Sequence, residues 1–327
     1  MRRLVTFGLL LVVLAVIWSG GWFALAAWAE GRVSTVLADI ARRGVEVDCG
    51  ERRMVGYPFA MRVACGETAV SEQKSGSQAQ LGGLTGGASL FAPLTAQVDL
   101  ASPARIQSPL FTDPATLQWD ETEIDVGMSM SGPQSVSFDA ENLSAALPFA
   151  DLADARLTTT AAEGTLSPTS EGGTNAALTF TGLALSANGT ALPPFDGTAS
   201  AQLSVPPRAL LSGKAALQAP LSARGIRVSL TSGEGRMDAE GDLSVDAEGI
   251  VDGAITLRLA GTEALAAYIA ALPPERRQLG NAVIGGMLAF GRSTNLDGKP
   301  ASELQVEISR GRARIGPVDF RVPKIPL

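Results

Sequence analysis

Two cysteines, one Ser-x-x-Lys and one acidic run are the places in this chain where side-chain type and spacing invite chemistry. Cys49 and Cys65 stand 16 residues apart with no other thiol to pair with either. Redox exchange would want C-x-x-C, and a metal site would want more ligands. In an exported compartment such a pair predicts one structural disulfide, worth about 3 kcal/mol in the chain-entropy model. Ser71-Glu72-Gln73-Lys74 matches the nucleophile motif of penicillin-recognising enzymes. It lacks the partner S-D-N and K-T-G motifs and sits in a polar stretch, so it reads as coincidence. Asp238, Glu240, Asp242 and Asp246 raise the question of calcium. An EF-hand loop beginning at Asp238 would need Gly at its sixth position and Glu at its twelfth, where Leu243 and Gly249 stand. No metal is expected there.

The chain has 327 residues and no histidine, which removes the commonest general base, nucleophile activator and zinc ligand together. No G-x-S-x-G elbow, Walker loop or Rossmann glycine set is present. The 33 acidic residues could supply a glycosidase pair, but three of the four tryptophans lie in or beside the N-terminal apolar run, leaving little for stacking sugars. Four lysines, a net charge of −7 and a pI near 4.9 argue against a nucleic-acid partner. The expectation is a protein that is not an enzyme and holds no cofactor.

Met1-Arg2-Arg3 is followed by an apolar run from Leu4 to Ala29 without a charge. About 20 helical residues span a bilayer core, and only a helix satisfies its own backbone in lipid. Arg2 and Arg3 would hold the N-terminus in the cytoplasm, and Trp18, Trp22 and Trp28 would mark the far interface. A cleaved signal ending at Ala27-Trp28-Ala29 is the alternative, giving a soluble periplasmic protein; the length of the run favours an uncleaved anchor over 1–29. Residues 30–44 read as an amphipathic membrane-proximal helix, with Val33, Val36, Leu37 and Ile40 on one face and Gly44 as its stop; that face is expected to pack on the chain's own first strands, a partner helix being the alternative.

Val45–Gly50 and Tyr57–Cys65 both alternate and read as two strands around a loop, a disulfide-bonded subregion over 45–70. Cys49-Gly50, Arg53, Gly56-Tyr57-Pro58-Phe59, Arg62-Val63 and Cys65 resemble the signature of an alphaproteobacterial family of unknown function. So does the C-terminal Gly311–Val318 with Pro323 and Pro326. The resemblance implies an envelope protein with an N-terminal membrane segment, and singles out Gly56, Tyr57, Pro58 and Phe59 as signature positions without giving them a role.

From Leu94 to about Leu259 short alternating segments recur, such as Glu123–Met130, Ala176–Thr181 and Ile226–Thr231. Turn signals punctuate them: Asn188-Gly189, Asp196-Gly197, Ser232-Gly233 and Asp252-Gly253. The tetrapeptide Asp-Ala-Glu-Gly at 238–241 and 246–249 reads as two successive hairpin corners, and 71–87 and 163–174 read as weak linkers. Thr262 to Leu272 and Pro274 to about Phe290 read as two helices lying across the sheet. Short strands return at Leu304–Ser309, Ala313–Gly316 and Val318–Val322. The expected fold class is mainly β: an N-terminal transmembrane helix, then an elongated curved antiparallel meander, open or half-barrel, over 45–327, with a C-terminal helical pair packed on it.

A weaker resemblance, carried by Gly253–Leu259 followed by helix and terminal strands, is to the AsmA-like envelope proteins. Their elongated sheets are linked to lipid handling, which implies lipid or another amphiphile as ligand. The expectation is a single-pass inner-membrane protein with its main domain in the periplasm. The alternative is a scaffold recruiting another envelope protein through a sheet edge or the stalk helix.

Overall fold

The computed structural model describes residues 2–322 and 324, apart from 43, 74, 110, 131, 150–153, 188, 212–219, 262–276, 278–280, 282–284, 288 and 316–317. The apolar run and the amphipathic segment after it form one uninterrupted helix, α1 (Arg2–Ala41). It is long and apolar enough to cross a membrane. Past it the described chain is mainly β, with twenty strands, and every pairing given for them is antiparallel. The chain divides into two compact units, Met1–Leu117 and Gln118–Leu327.

In the first unit the strands are β1 (Val45–Cys49), β2 (Arg53–Val55), β3 (Ala60–Cys65), β4 (Thr68–Glu72), β5 (Ser77–Ser89), β6 (Ala92–Gln107) and β7 (Ala115–Gln118). Of the two arms expected around the cysteines, the first is strand to Cys49, but Tyr57–Phe59 are turn, so the second begins at Ala60, and Arg53–Val55 within the expected loop is strand. β1 pairs with β4 and β2 with β3, so 45–55 runs back along 60–72 as a hairpin. The break between the two pairings lies where Gly50 faces Gly66 and Glu67, with Gly66 N donating to the Gly50 carbonyl at 2.6 Å. Cys49 and Cys65 are joined across it, Cα to Cα 5.2 Å. The first half of β5 pairs with β4, its second half with β3, and its other edge with β6.

β5 corrects the expected linker at 71–87. Its glycines are not there for mobility: a Cβ at Gly87 would lie 2.1 Å from the Met61 carbonyl oxygen, and one at Gly82 2.8 Å from that of Ser102. The backbone needs the room that glycine leaves. The second expected linker, 163–174, is likewise the end of one strand, a tight turn and the start of the next.

The second unit is a meander. Its strands are β8 (Glu121–Ser129), β9 (Gly132–Ala146), β10 (Arg156–Pro168), β11 (Thr174–Ala187), β12 (Thr190–Ala191), β13 (Phe195–Leu203), β14 (Leu221–Ser232), β15 (Gly235–Val245), β16 (Val251–Ala260), β17 (Arg292–Leu296), β18 (Lys299–Ser309), β19 (Arg312–Ile315) and β20 (Val318–Arg321), with a short helix α2 (Pro207–Leu211) after β13. Neighbours in sequence pair in turn from β8 to β11, then β11 with β13, onward to β16, and β16 with β18. β17 and β19 share the far edge of β18.

Three expected corners prove to be strand. Asp238–Gly241 lies inside β15; only 246–249 turns, where Asp246 Oδ1 accepts from Glu248 N and Ile250 N. Asp196-Gly197 lies inside β13, because the Phe180 ring packs over Gly197 and a Cβ there would sit 2.3 Å from it. Asp252-Gly253 lies inside β16, where Gly253 takes a φ of +143° against the Asp242 carbonyl. Of the expected C-terminal helical pair, 277, 281, 285–287 and 289–290 are helical, and the rest of 262–288 lies outside the described residues. Met287 is buried with Leu259, Leu304, Val306 and Ala313 and closes that end of the sheet's apolar face.

Candidate functional site

The register of the second unit stacks its alternating strands into rows. Ile124 faces Phe138, Phe138 faces Gly164, Gly164 faces Leu178 and Leu178 faces Ala199. The row continues through Val228, Ala239, Leu257 and Leu304. It therefore crosses nine strands without a polar side chain. One residue along each strand, on the opposite face, the matching row is Glu123, Asp139, Glu163, Thr179, Thr198, Ser229, Asp238, Arg258 and Glu303. Because side chains alternate between faces, one face is apolar and the other polar along the whole meander.

Between β9 and β14 the apolar face forms an open trough of about 410 Å³, lined among others by Val136, Phe138, Leu166, Leu178, Ala199 and Val228. Small residues make the depression. Gly164 lies beneath the Phe138 ring, and Ala176, Ala199 and Ala201 stand where larger side chains would fill it. Leu178 keeps 38% of its surface exposed at the trough's centre. No titratable side chain lines the trough.

Across β15, β16 and β18 the polar face carries ion pairs. Arg258 bridges Glu303 at 2.9 Å and Glu240 at 3.3 Å. Its bond to Glu303 holds the guanidinium above its ordinary range. Asp238 accepts from Ser229 and pairs with Arg236 at 3.1 Å. The acidic run is thus distributed: Asp238 and Glu240 go to arginines, Asp242 accepts from Gly225 N at 2.7 Å, and Asp246 caps its own turn. No group able to hold a metal ion occurs among the described residues. Ser71 lies within β4, paired with Glu46 and Gln78, and Lys74 lies outside the described residues.

In the first unit the signature positions form the turn between β2 and β3 and dock on α1. Gly56 takes a φ of +99°, which leaves room for Ala60 N to donate to its carbonyl at 2.8 Å; a Cβ there would meet the Ala60 oxygen at 2.8 Å. The Tyr57–Pro58 peptide is cis. Trp18 Nε1 donates to the Pro58 carbonyl at 3.2 Å and Trp22 Nε1 to that of Ala60 at 3.1 Å. The Tyr57 hydroxyl meets Ser19 Oγ at 2.6 Å, and its ring packs on Phe23 and Trp22 with centroids 5.9 and 5.4 Å away. Phe59 packs on Phe91 in the turn between β5 and β6, centroids 5.8 Å apart. Further along, Arg52 donates to Ser34 and the helix end packs beside β1. The sequence marks these turn residues but does not connect them to the helix. The one pointer is that tryptophans spaced four apart share a helix face.

A family model described as "Uncharacterized protein conserved in bacteria (DUF2125)" matches residues 22–322, from the buried Trp22 of α1 to Val322 beyond β20. No curated protein and no solved structure matches the chain.

Proposed function

The chain belongs to this uncharacterized bacterial family, and from that premise we propose that it is a membrane-anchored envelope protein whose second unit holds the acyl chain of a lipid or another amphiphile in the trough between β9 and β14. The observation that carries the reading is the unbroken apolar row beneath that trough, set against a polar row on the reverse face. A depression of about 410 Å³ lies in the range of ligand sites. Each methylene seated in it contributes about 0.8 kcal/mol. With no titratable group in the lining, the site holds rather than transforms.

Membrane anchoring rests on α1, and the packing of Trp18 and Trp22 onto the turn favours an uncleaved helix, since cutting after Ala29 would remove both indoles from the folded unit. On this reading Arg2 and Arg3 keep the N-terminus cytoplasmic and the sheet lies in the periplasm. The experiment is site-specific photo-crosslinking in cells with p-benzoylphenylalanine at Leu178, on the apolar face, and at Thr179, on the polar one. A lipid adduct at position 178 and none at 179 is expected. Adducts with protein alone at 178 would turn the reading to that of a scaffold for another envelope protein.

A further inference from the structure

We propose that the end of the first unit formed by the Gly56–Phe59 turn and the turn between β5 and β6 is sunk into the outer leaflet of the bilayer that α1 crosses, with Tyr57, Phe59, Leu90, Phe91 and Leu94 among the acyl chains. This rests on the reading of α1 as a membrane anchor and adds a second contact with the same membrane.

Helix arithmetic places this end in the bilayer. A hydrocarbon core about 30 Å thick takes about 20 residues at 1.5 Å rise, so a span beginning after Arg3 ends near residue 23. The turn meets α1 at Trp18, Ser19, Trp22 and Phe23, before that point and not beyond it. The apolar stretch of α1 between Arg3 and Trp18 is about 21 Å long, short of the core thickness. The sheet end therefore occupies the remaining depth.

The chemistry of the end fits that position. No charged residue occurs between Arg53 and Arg62 or between Lys74 and Asp99. The exposed side chains there are large and apolar: Phe91 is 82% exposed, Leu94 65% and Phe59 56%. Backbone groups in lipid must be satisfied within the protein. Here the carbonyls of Pro58 and Ala60 accept from the two indoles, and that of Phe59 accepts from Leu90 N at 2.9 Å. The first charges on the sheet are Arg62 and Asp99, 3.7 Å apart, three residues or about 10 Å beyond Phe59. The first on the helix are Glu30 and Arg32, with Arg32 over the Trp28 ring. Sheet and helix thus change from apolar to charged together, as at a membrane interface.

The full chain is reconstituted in phosphatidylcholine vesicles containing lipid with a doxyl group on the acyl chain. A nitrobenzoxadiazole label is placed in turn at Phe91→Cys, at Ile17→Cys in α1 and at Ser75→Cys, at the opposite end of β5. Loss of fluorescence at position 91 comparable to that at 17, with none at 75, is expected. Quenching at 17 but not at 91 overturns the proposal and leaves the anchor standing. No quenching at 17 removes the anchor reading and this proposal with it.

Discussion

Gly86 and Gly87 are neighbours in β5 with opposite surroundings. A Cβ at Gly86 would rest 3.5 Å from Val98, an ordinary contact, whereas one at Gly87 would lie 2.1 Å from the Met61 oxygen and 2.5 Å from the Arg62 Cα. Backbone cannot swing aside as a side chain can, so Gly87→Ala is expected to cost about 1–3 kcal/mol. Gly86→Ala should stay within about 0.5 kcal/mol. The urea midpoints of the two variants check this, and equal midpoints would refute the close approach. The same contrast explains why Asp196-Gly197 and Asp252-Gly253 resemble turns in sequence. An Asp-Gly pair carries the same local preference in a hairpin corner and beneath a neighbouring strand or ring. What distinguishes them is Phe180 over Gly197 and the Asp242 carbonyl against Gly253, contacts made by distant residues.

Among elements, the cysteine hairpin is the one most fully readable beforehand. Its alternating strands and its thiol pair lie within 45–72 and pair locally, although the turn at Gly56–Phe59 reads as strand in the sequence and Arg53–Val55 as loop. Replacing both cysteines by serine is expected to remove about 3 kcal/mol, read as a lower denaturation midpoint that reductant reproduces in the wild type and leaves unchanged in the variant. That the helix packs on the hairpin's first strands, as it does beside β1, follows from its apolar face, but how far along α1 the hairpin reaches does not. Val45–Val55 runs back along α1 so that the turn reaches Trp18, nearly forty residues away in sequence. The indoles of Trp18 and Trp22 donate within the first unit instead of to solvent. Their acceptors, the Pro58 and Ala60 carbonyls, come from the sheet and are set by how far the hairpin extends.

At the scale of the whole molecule, the proposed function rests on a face instead of a residue. Ala199 sits in the apolar row between Leu178 and Val228, and Thr198 in the polar row beside it. Ala199→Trp is expected to fill the trough and to reduce lipid adducts at position 178 severalfold, while Thr198→Trp leaves them unchanged. Equal yields from both variants would mean that the trough is not where the amphiphile lies. At the other end of the same face, Met287 seals Leu259, Leu304 and Val306, so the open part and the closed part of one surface are built from the same repeating pattern.

From its own residues the sequence determines the helix, the two-residue period of the strands and the single cysteine pair, because each depends on polarity and backbone preference over a few neighbouring positions. Tertiary structure alone decides which alternating segments face one another. Period two makes every strand two-faced, but a slip of one residue would set apolar against polar across the sheet. The register that aligns Phe138, Gly164, Leu178 and Ala199 is set by turns and bulges along the meander, not by any one strand. The trough exists because that alignment brings glycine and alanine together across three strands, β10, β11 and β13.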